Sequence, residues 1–123
     1  MNYSKLIDAL QAVETGGHPD PARAVGDDGR SIGILQIQKG VVEDVNRVTG
    51  SRFTWVDAYD PQKARLICQA YLRHYAVPSR IGSMDPYEAS ARIWNGGPHG
   101  HIKLATLPYW HKVCAHLALS HQP

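Results

Sequence analysis

Two acidic positions lie close together near the start of the chain, separated by a short loop. Glu14 ends an apolar periodic segment just before Gly16-Gly17, and Asp27-Asp28 stands in a turn bounded by glycines. The helix dipole disfavours a negative charge at a helix C-terminus, and apolar surroundings desolvate it, so both effects are expected to raise the pKa of Glu14. A protonated carboxyl group facing an ionised carboxylate across a cleft is the arrangement that cleaves a glycosidic bond.

The elements that carry these carboxyl groups follow from hydrophobic spacing. Four apolar residues recur at helical intervals before Glu14: Leu6, Ile7, Leu10 and Val13. They predict a first helix over residues 3–15, with Glu14 on its apolar face. The segments 22–25 and 31–37 flank the turn Gly26-Asp27-Asp28-Gly29, which predicts a short β-hairpin. Asp and Gly are also ordinary turn residues, so the turn alone does not show a catalytic role.

The rest of the chain predicts four more helices. One covers residues 40–48 and is closed by Thr49-Gly50, and the next begins at Asp60-Pro61 and runs to about residue 75. A further helix begins at Asp85-Pro86 and ends near residues 94–98, and the last covers about 108–119. With 123 residues and no repeat or linker, we expect one catalytic domain over residues 1–123.

Composition excludes several classes of function. The chain is 43% hydrophobic and 20% charged, with a net charge of +2 when histidine is neutral. This mild basic character suits an anionic wall polymer, and the absence of any Lys/Arg run argues against nucleic acid. The longest apolar runs are too short for a transmembrane span, so we expect no membrane insertion. We also expect a monomer without a cofactor.

The two cysteines, Cys68 and Cys114, both fall in predicted helices. Free thiols that serve packing are therefore expected rather than a disulfide. Residues 1–5 lead into the first helix without an apolar segment, so we expect no signal peptide. We expect action at the bacterial cell wall by a protein that is cytoplasmic until release, as in a bacteriophage, or secreted with its signal removed.

Five motifs occur in an order that resembles a known family. They are Val13-Glu14-Thr15-Gly16-Gly17 and the segments 31–37, 71–76, 87–100 and 109–113, of which the fourth contains Asn95-Gly96-Gly97-Pro98 and the last begins with Tyr109-Trp110. Together they resemble the invertebrate-type, destabilase-like lysozymes over nearly the whole chain. This resemblance implies a lysozyme-like α+β fold, mainly helical, with a short β-hairpin flanking the active-site cleft.

The resemblance also implies an activity and a set of roles. It implies hydrolysis of the β-1,4 bond of peptidoglycan glycan strands, with Glu14 as general acid. The second carboxylate would stabilise the oxocarbenium-like state, attack it covalently or activate water, and the resemblance favours the covalent, retaining option. The second carboxylate falls on Asp27 or, alternatively, on Asp28, and we prefer Asp27 because Gly29 then completes the turn. Candidate contacts to sugar hydroxyl and N-acetyl groups are Ser31, Gln36, Tyr75, Asn95, Gly96, Gly97 and His101. Structural roles remain open for Gln36 and Tyr75, and Asn95-Gly96-Gly97 also suits a helix C-terminus.

The chain departs from the animal members of this family in ways that suggest its origin. It lacks their many cysteines, and Trp94 and His99 replace the usual His and Asn around the Asn-Gly-Gly-Pro segment. These departures suggest a bacterial or bacteriophage relative that works without an oxidising compartment. The isopeptidase activity of some relatives is therefore not carried over.

Three other functions compete with lysozyme. A lytic transglycosylase needs only the glutamate, and the acidic turn argues against it. A non-catalytic wall-binding module is disfavoured by Glu14 on an apolar face. A zinc site on His99, His101 and His111 is a weak possibility because no acidic or cysteine ligand flanks them. We therefore expect no metal.

Overall fold

Six helices and three short strands make up the described part of the chain in the computed structural model, which covers residues 1–120 and side chains through Ala118. The helices are α1 (Tyr3–Thr15), α2 (Lys39–Thr49), α3 (Pro61–Tyr75), α4 (Pro78–Ile81), α5 (Pro86–Gly96) and α6 (Leu107–Ser120). The strands are β1 (Val25–Gly26), β2 (Ser31–Ile32) and β3 (Ile37–Gln38), which form one antiparallel sheet in that order. None of these helices is long and apolar enough to cross a membrane.

The chain forms two units, each with its own buried residues. The central unit is Glu14–Tyr71, and the terminal unit combines Met1–Val13 with the chain from Leu72 onward. The larger apolar side chains buried in the central unit are Ile32, Ile34, Leu35, Ile37, Val42, Val45, Ile67 and Tyr71. Those buried in the terminal unit are Leu6, Ile7, Leu10, Leu72, Tyr75, Ile93, Val113 and Leu117.

The predicted helices are confirmed, and their ends follow local rules. Helix α1 has the predicted bounds, and α2 ends at Gly50, which takes the left-handed conformation with φ of 72°. Helix α3 begins after Asp60, whose Oδ1 accepts the backbone N–H groups of Gln62 and Lys63. The sequence did not predict α4 or the 3-10 turn Trp55–Tyr59 within the segment expected to be irregular.

The predicted hairpin is confirmed in that β1 pairs with β2, but neither arm is a strand over its whole predicted range. In the first arm, residues 21–23 form a 3-10 turn and the strand is Val25–Gly26; the second arm is not one strand over residues 31–37. The chain turns at Gly33 and returns as β3. Gly33 has φ of 78°, and a Cβ there would lie 2.0 Å from the carbonyl oxygen of Ala58. Only glycine fits this close approach, because any side chain would meet the backbone of the 55–59 turn. The turn at Gly33 therefore brings β3 back beside β2.

Free thiols are confirmed at both cysteines. Cys68 is fully buried in α3, and Cys114 is half-buried in α6. Burial raises the pKa of the Cys68 thiol and is also the main cause of the raised pKa of Cys114. Both sulfurs therefore remain protonated and serve packing, as their helical positions predicted.

A buried arginine organises the terminal unit. The Arg92 guanidinium donates from Nε to the Thr106 hydroxyl (2.8 Å), from one terminal nitrogen to Glu88 (2.7 Å), and from the other to the Lys103 carbonyl oxygen (3.0 Å). Gly100 packs so closely that a Cβ there would lie 2.0 Å from the Arg92 carbonyl oxygen. A buried guanidinium must be satisfied in this way, so residues 100–106 are held firmly against α5.

Candidate active site

Glu14 is the penultimate residue of α1, and its side chain is half-buried. Its charge acts on the buried Cys68 thiol of α3. Burial is the main cause of the raised pKa of that thiol, Arg65 opposes the rise, and the Glu14 carboxylate adds to it. Glu14 thus lies within electrostatic reach of α3 inside the central unit. The raised pKa expected for Glu14 itself stays a prediction.

The residue after Glu14 fixes the end of the helix. Thr15 is buried, and its hydroxyl donates a hydrogen bond of 2.8 Å to the carbonyl oxygen of Ile34. A buried hydroxyl without a partner would be costly, so this bond ties the last turn of α1 to the chain just beyond β2. The position of the Glu14 backbone is therefore set by the hairpin region.

The acidic turn has a strained backbone. Asp27 and Asp28 take φ angles of 52° and 55°, and Gly29 follows at 87°. Aspartate tolerates the left-handed region better than most residues, yet each such position still costs free energy. Arg30 supports the turn, because its backbone N–H and its Nε both donate to the Asp27 carbonyl oxygen, at 3.2 and 2.9 Å.

The two aspartates of this turn differ in how their side chains are held. The Ser31 hydroxyl donates a hydrogen bond of 2.6 Å to Oδ2 of Asp27, and Ser31 itself is only 1% exposed. Within the described residues, the Asp28 side chain makes no hydrogen bond. Both carboxylates face solvent, but only that of Asp27 has a fixed orientation. The two side chains are therefore not equivalent, and the choice of Asp27 over Asp28 as the second carboxylate stays a prediction.

Gln36 braces the hairpin from within. Its Nε2 donates to the carbonyl oxygens of Ala24 (3.2 Å) and Gly33 (3.0 Å), and its Oε1 occupies the space beside Gly26. Both amide hydrogens are thus used inside the central unit, and the backbone of Gln36 is held at a φ of 51°. The structure supports the structural role left open for this residue, and its contact with sugar stays a prediction.

The remaining candidates lie in the terminal unit. Tyr75 is buried, meets the ring of His74 edge-on at 4.6 Å between centroids, and lies under the Arg80 guanidinium at 5.3 Å. His101 is only 5% exposed, and its Nε2 lies 3.2 Å from the Arg80 carbonyl oxygen. The structure thus places these two rings inside the unit.

The Asn-Gly-Gly segment closes α5. Asn95 is exposed in the last turn, Gly97 ends the helix with φ of 88°, and a Cβ on Gly96 would lie 2.5 Å from Cγ2 of Thr106. The predicted helix-ending role of this segment is confirmed. Asn95 is the member that presents its side chain to solvent.

The histidines considered as zinc ligands are not equivalent. His99 and His111 are exposed, whereas His101 is buried. No group of three or more His, Cys, Asp or Glu side chains among residues 1–120 is arranged to hold a metal ion.

Sequence reasoning missed the residues that hold the site. Thr15 and Arg30 were not among the candidates, although both bond directly to the hairpin region. The sequence did offer a reason to single out Thr15. Threonine is unfavourable in the interior of a helix, and this one lies directly after Glu14 in the first motif. Arg92 lies within one of the five motifs, but nothing in its spacing indicates that its guanidinium group is buried.

The architecture defines a lysozyme-like α+β fold. It matches a chain of the crystal structure of Aeromonas hydrophila PliI in complex with Meretrix lusoria lysozyme. The TM-score is 0.71 and the sequence identity 27%, and the match covers 89% of this chain and 85% of that one. The α+β fold implied by the sequence motifs is confirmed.

A sequence relative points to the same class. The chain is 36% identical to the lysozyme of Ostrea edulis over 89 residues, which are 70% of this chain. The match spans 61% of the Ostrea protein, so the chain covers less than two thirds of that relative's length. The sequence matches no protein-family model. The resemblance to invertebrate-type lysozymes is thus supported, while a bacterial or bacteriophage origin stays a prediction.

The bracing role of Gln36 predicts a stability effect. Gln36→Ala removes both side-chain hydrogen bonds while the backbone keeps its unfavourable φ, so the free energy of unfolding should fall by about 1–2 kcal/mol. Gln38→Ala, at an exposed position of β3, is the matched control and should stay within about 0.5 kcal/mol of wild type. Urea denaturation measures both. A Gln36→Ala variant with wild-type stability but weaker sugar binding would instead make this side chain a ligand contact.

Proposed function

We propose that this protein is a lysozyme, a glycoside hydrolase that cleaves the β-1,4 bond between N-acetylmuramic acid and N-acetylglucosamine in peptidoglycan. The observation that carries the proposal is that one hairpin region anchors both the helix end that bears Glu14 and the carboxylate of Asp27. Thr15 ties the Glu14 end of α1 to Ile34, and Ser31, three residues earlier, fixes the Asp27 carboxylate. The similarity to the Ostrea edulis lysozyme supports the substrate class.

The mechanism divides the work between these carboxyl groups. Glu14, half-buried at the end of α1, is the general acid that protonates the leaving glycosidic oxygen. Asp27, exposed and ionised, attacks the anomeric carbon and forms a glycosyl-enzyme. Glu14 then accepts a proton from the water that releases the sugar, so configuration is retained.

Other residues position these groups or contact the glycan. Ser31 acts on the substrate only through Asp27, because its hydroxyl is buried against that carboxylate. Asn95 is exposed and is proposed as a hydrogen-bond partner for sugar N-acetyl or hydroxyl groups. We propose that the protein acts as a monomer on glycan strands at the bacterial cell wall, without a cofactor.

Glu14→Gln tests whether the protein is an enzyme that uses Glu14 as its general acid. Glutamine keeps the size of the side chain but cannot donate a proton to the leaving group, so lysis of bacterial cells should fall by at least about 10²-fold. Loss of turbidity measures the rate, and thermal melting checks that the variant is folded. A folded variant that lyses cells normally would exclude Glu14 as the acid. A wild-type chain that binds walls without lysing them would indicate a binding module.

Asp27→Asn and Asp28→Asn form a matched pair in one turn. Asparagine tolerates the left-handed backbone as aspartate does, so each change removes charge without adding strain. Asp27→Asn should reduce kcat by at least about 10²-fold, whereas Asp28→Asn should keep a near-normal rate and stability within about 0.5 kcal/mol. Steady-state rates on soluble peptidoglycan fragments measure the difference. The reverse pattern would assign the second carboxylate to Asp28.

The products separate hydrolysis from transglycosylation. With Asp27 supporting the cationic centre, water completes the reaction and leaves an ordinary reducing end. Without such a partner, the 6-hydroxyl of the sugar closes onto its own anomeric carbon, giving an anhydro product lighter by one water. Mass spectrometry of digested sacculi should show reducing ends. Predominantly anhydro products would leave Asp27 with no part in the chemistry and would make the protein a lytic transglycosylase.

A further inference from the structure

A groove in the central unit lies apart from the proposed catalytic residues. Its volume is about 680 Å³, which is within the usual size range of small-molecule sites. Arg23 lines it from the short turn Pro21–Arg23, and Val56, Asp57, Tyr59, Asp60 and Lys63 line it from the 55–59 turn and the start of α3. Neither Glu14 nor Asp27 belongs to its lining.

The two cations of the groove are available to a ligand. The Arg23 side chain is 85% exposed, and its Nε lies 3.8 Å from Asp20. The Lys63 side chain is 51% exposed, and its Nζ lies 3.4 Å from Asp57. Ion pairs this long and this exposed contribute little free energy. Both cations can therefore turn to a bound anion at small cost.

The two carboxylates of the groove are held more firmly than the cations. The backbone N–H of Thr54 donates to Asp57 at 2.8 Å and lowers the pKa of its carboxyl group, and Lys63 lowers the pKa further. Asp60 is fixed by the backbone N–H groups that it accepts at the start of α3. The groove thus presents fixed negative charge beside adjustable positive charge.

Two further side chains give the groove an apolar part. Val56 is 69% exposed, so its side chain is open to a ligand in the groove. Tyr59 is half-buried, and its hydroxyl makes no hydrogen bond within residues 1–120. A ligand with a short alkyl chain and a hydrogen-bonding group would use both.

We propose that this groove binds a short peptide that carries both carboxylate and ammonium groups, which is the chemistry of the peptide branch of peptidoglycan. The identification of this peptide as part of peptidoglycan rests on the proposed function. Arg23 and Lys63 bind its carboxylates, Asp57 and Asp60 bind its ammonium group, and Val56 contacts its alkyl chain. A neutral saccharide has no charge to pair with these four groups, and a polyphosphate would meet two carboxylates.

Titration of the full chain with a free stem tripeptide tests this proposal. The probe is L-Ala-γ-D-Glu-meso-diaminopimelate, and its amine-acetylated form and a chitotetraose are the comparison ligands.

The groove variants Arg23→Gln and Lys63→Gln should each raise the Kd for the tripeptide at least about fivefold, since each removes a charged partner. Arg52→Gln and Lys39→Gln replace exposed cations of the same unit outside the groove and should bind like wild type. Acetylation of the probe should weaken binding, and chitotetraose should not compete.

The outcomes separate this proposal from the lysozyme assignment, because the titration needs no turnover. Saturable binding that is lost in the Arg23 and Lys63 variants supports the groove even if the chain does not lyse cells. Absence of saturable binding, or equal binding by the two groove variants and the two controls, overturns it even if the chain is an active lysozyme. Val56→Ser gives an independent check, since an exposed valine can be replaced with little loss of stability. Weaker tripeptide binding by this variant is expected, and unchanged binding counts against the groove.

Discussion

The hydrogen bond from the Thr15 hydroxyl to the Ile34 carbonyl oxygen is the constraint on which the candidate site depends. It joins residues that are 19 positions apart and buries both partners, so its loss would leave polar groups without water or protein to satisfy them. Because Thr15 directly follows Glu14, the bond also sets where the proposed acid emerges from α1. The hairpin region therefore positions a residue that lies outside it.

That hairpin region combines strain with dense hydrogen bonding. The three non-glycine residues of the described chain with positive φ are Asp27, Asp28 and Gln36. Such backbone conformations persist only when neighbouring groups hold them, and here Arg30, Ser31 and the Gln36 amide do so. Strain of this kind occurs often at functional sites, so the observed angles add weight to the acidic turn as a place of chemistry. The inference runs from the measured geometry to the function.

Local signals predicted most of the helical fold. Asp60-Pro61 and Asp85-Pro86 mark helix starts because the cap and the proline act within one turn. Gly50 marks an end for the same local reason. The turn at Gly33 could not be predicted, because the group that leaves room only for glycine there, the carbonyl oxygen of Ala58, lies far along the chain. The segment therefore looked like one continuous strand.

The sequence indicated which residues of the candidate site could take part in chemistry, but not which contacts their side chains make. Glu14 stood out because its helix end and apolar spacing are visible in the sequence. The partners of Ser31 and Gln36 were not visible, since tertiary folding decides whether a hydroxyl or amide meets a ligand or a backbone group. The same limit applies to Arg92, whose burial depends on how residues 100–106 fold back on α5.

The proposed catalytic carboxylates and their anchors all lie in one uninterrupted stretch of sequence, Glu14–Tyr71. A genetic exchange that transferred this stretch would move both acids together with the two bonds that hold the end of α1 and the Asp27 carboxylate. Substitutions before and after it could then accumulate without altering those bonds. Because these residues lie in one continuous segment, they can be inherited together while the rest of the sequence diverges.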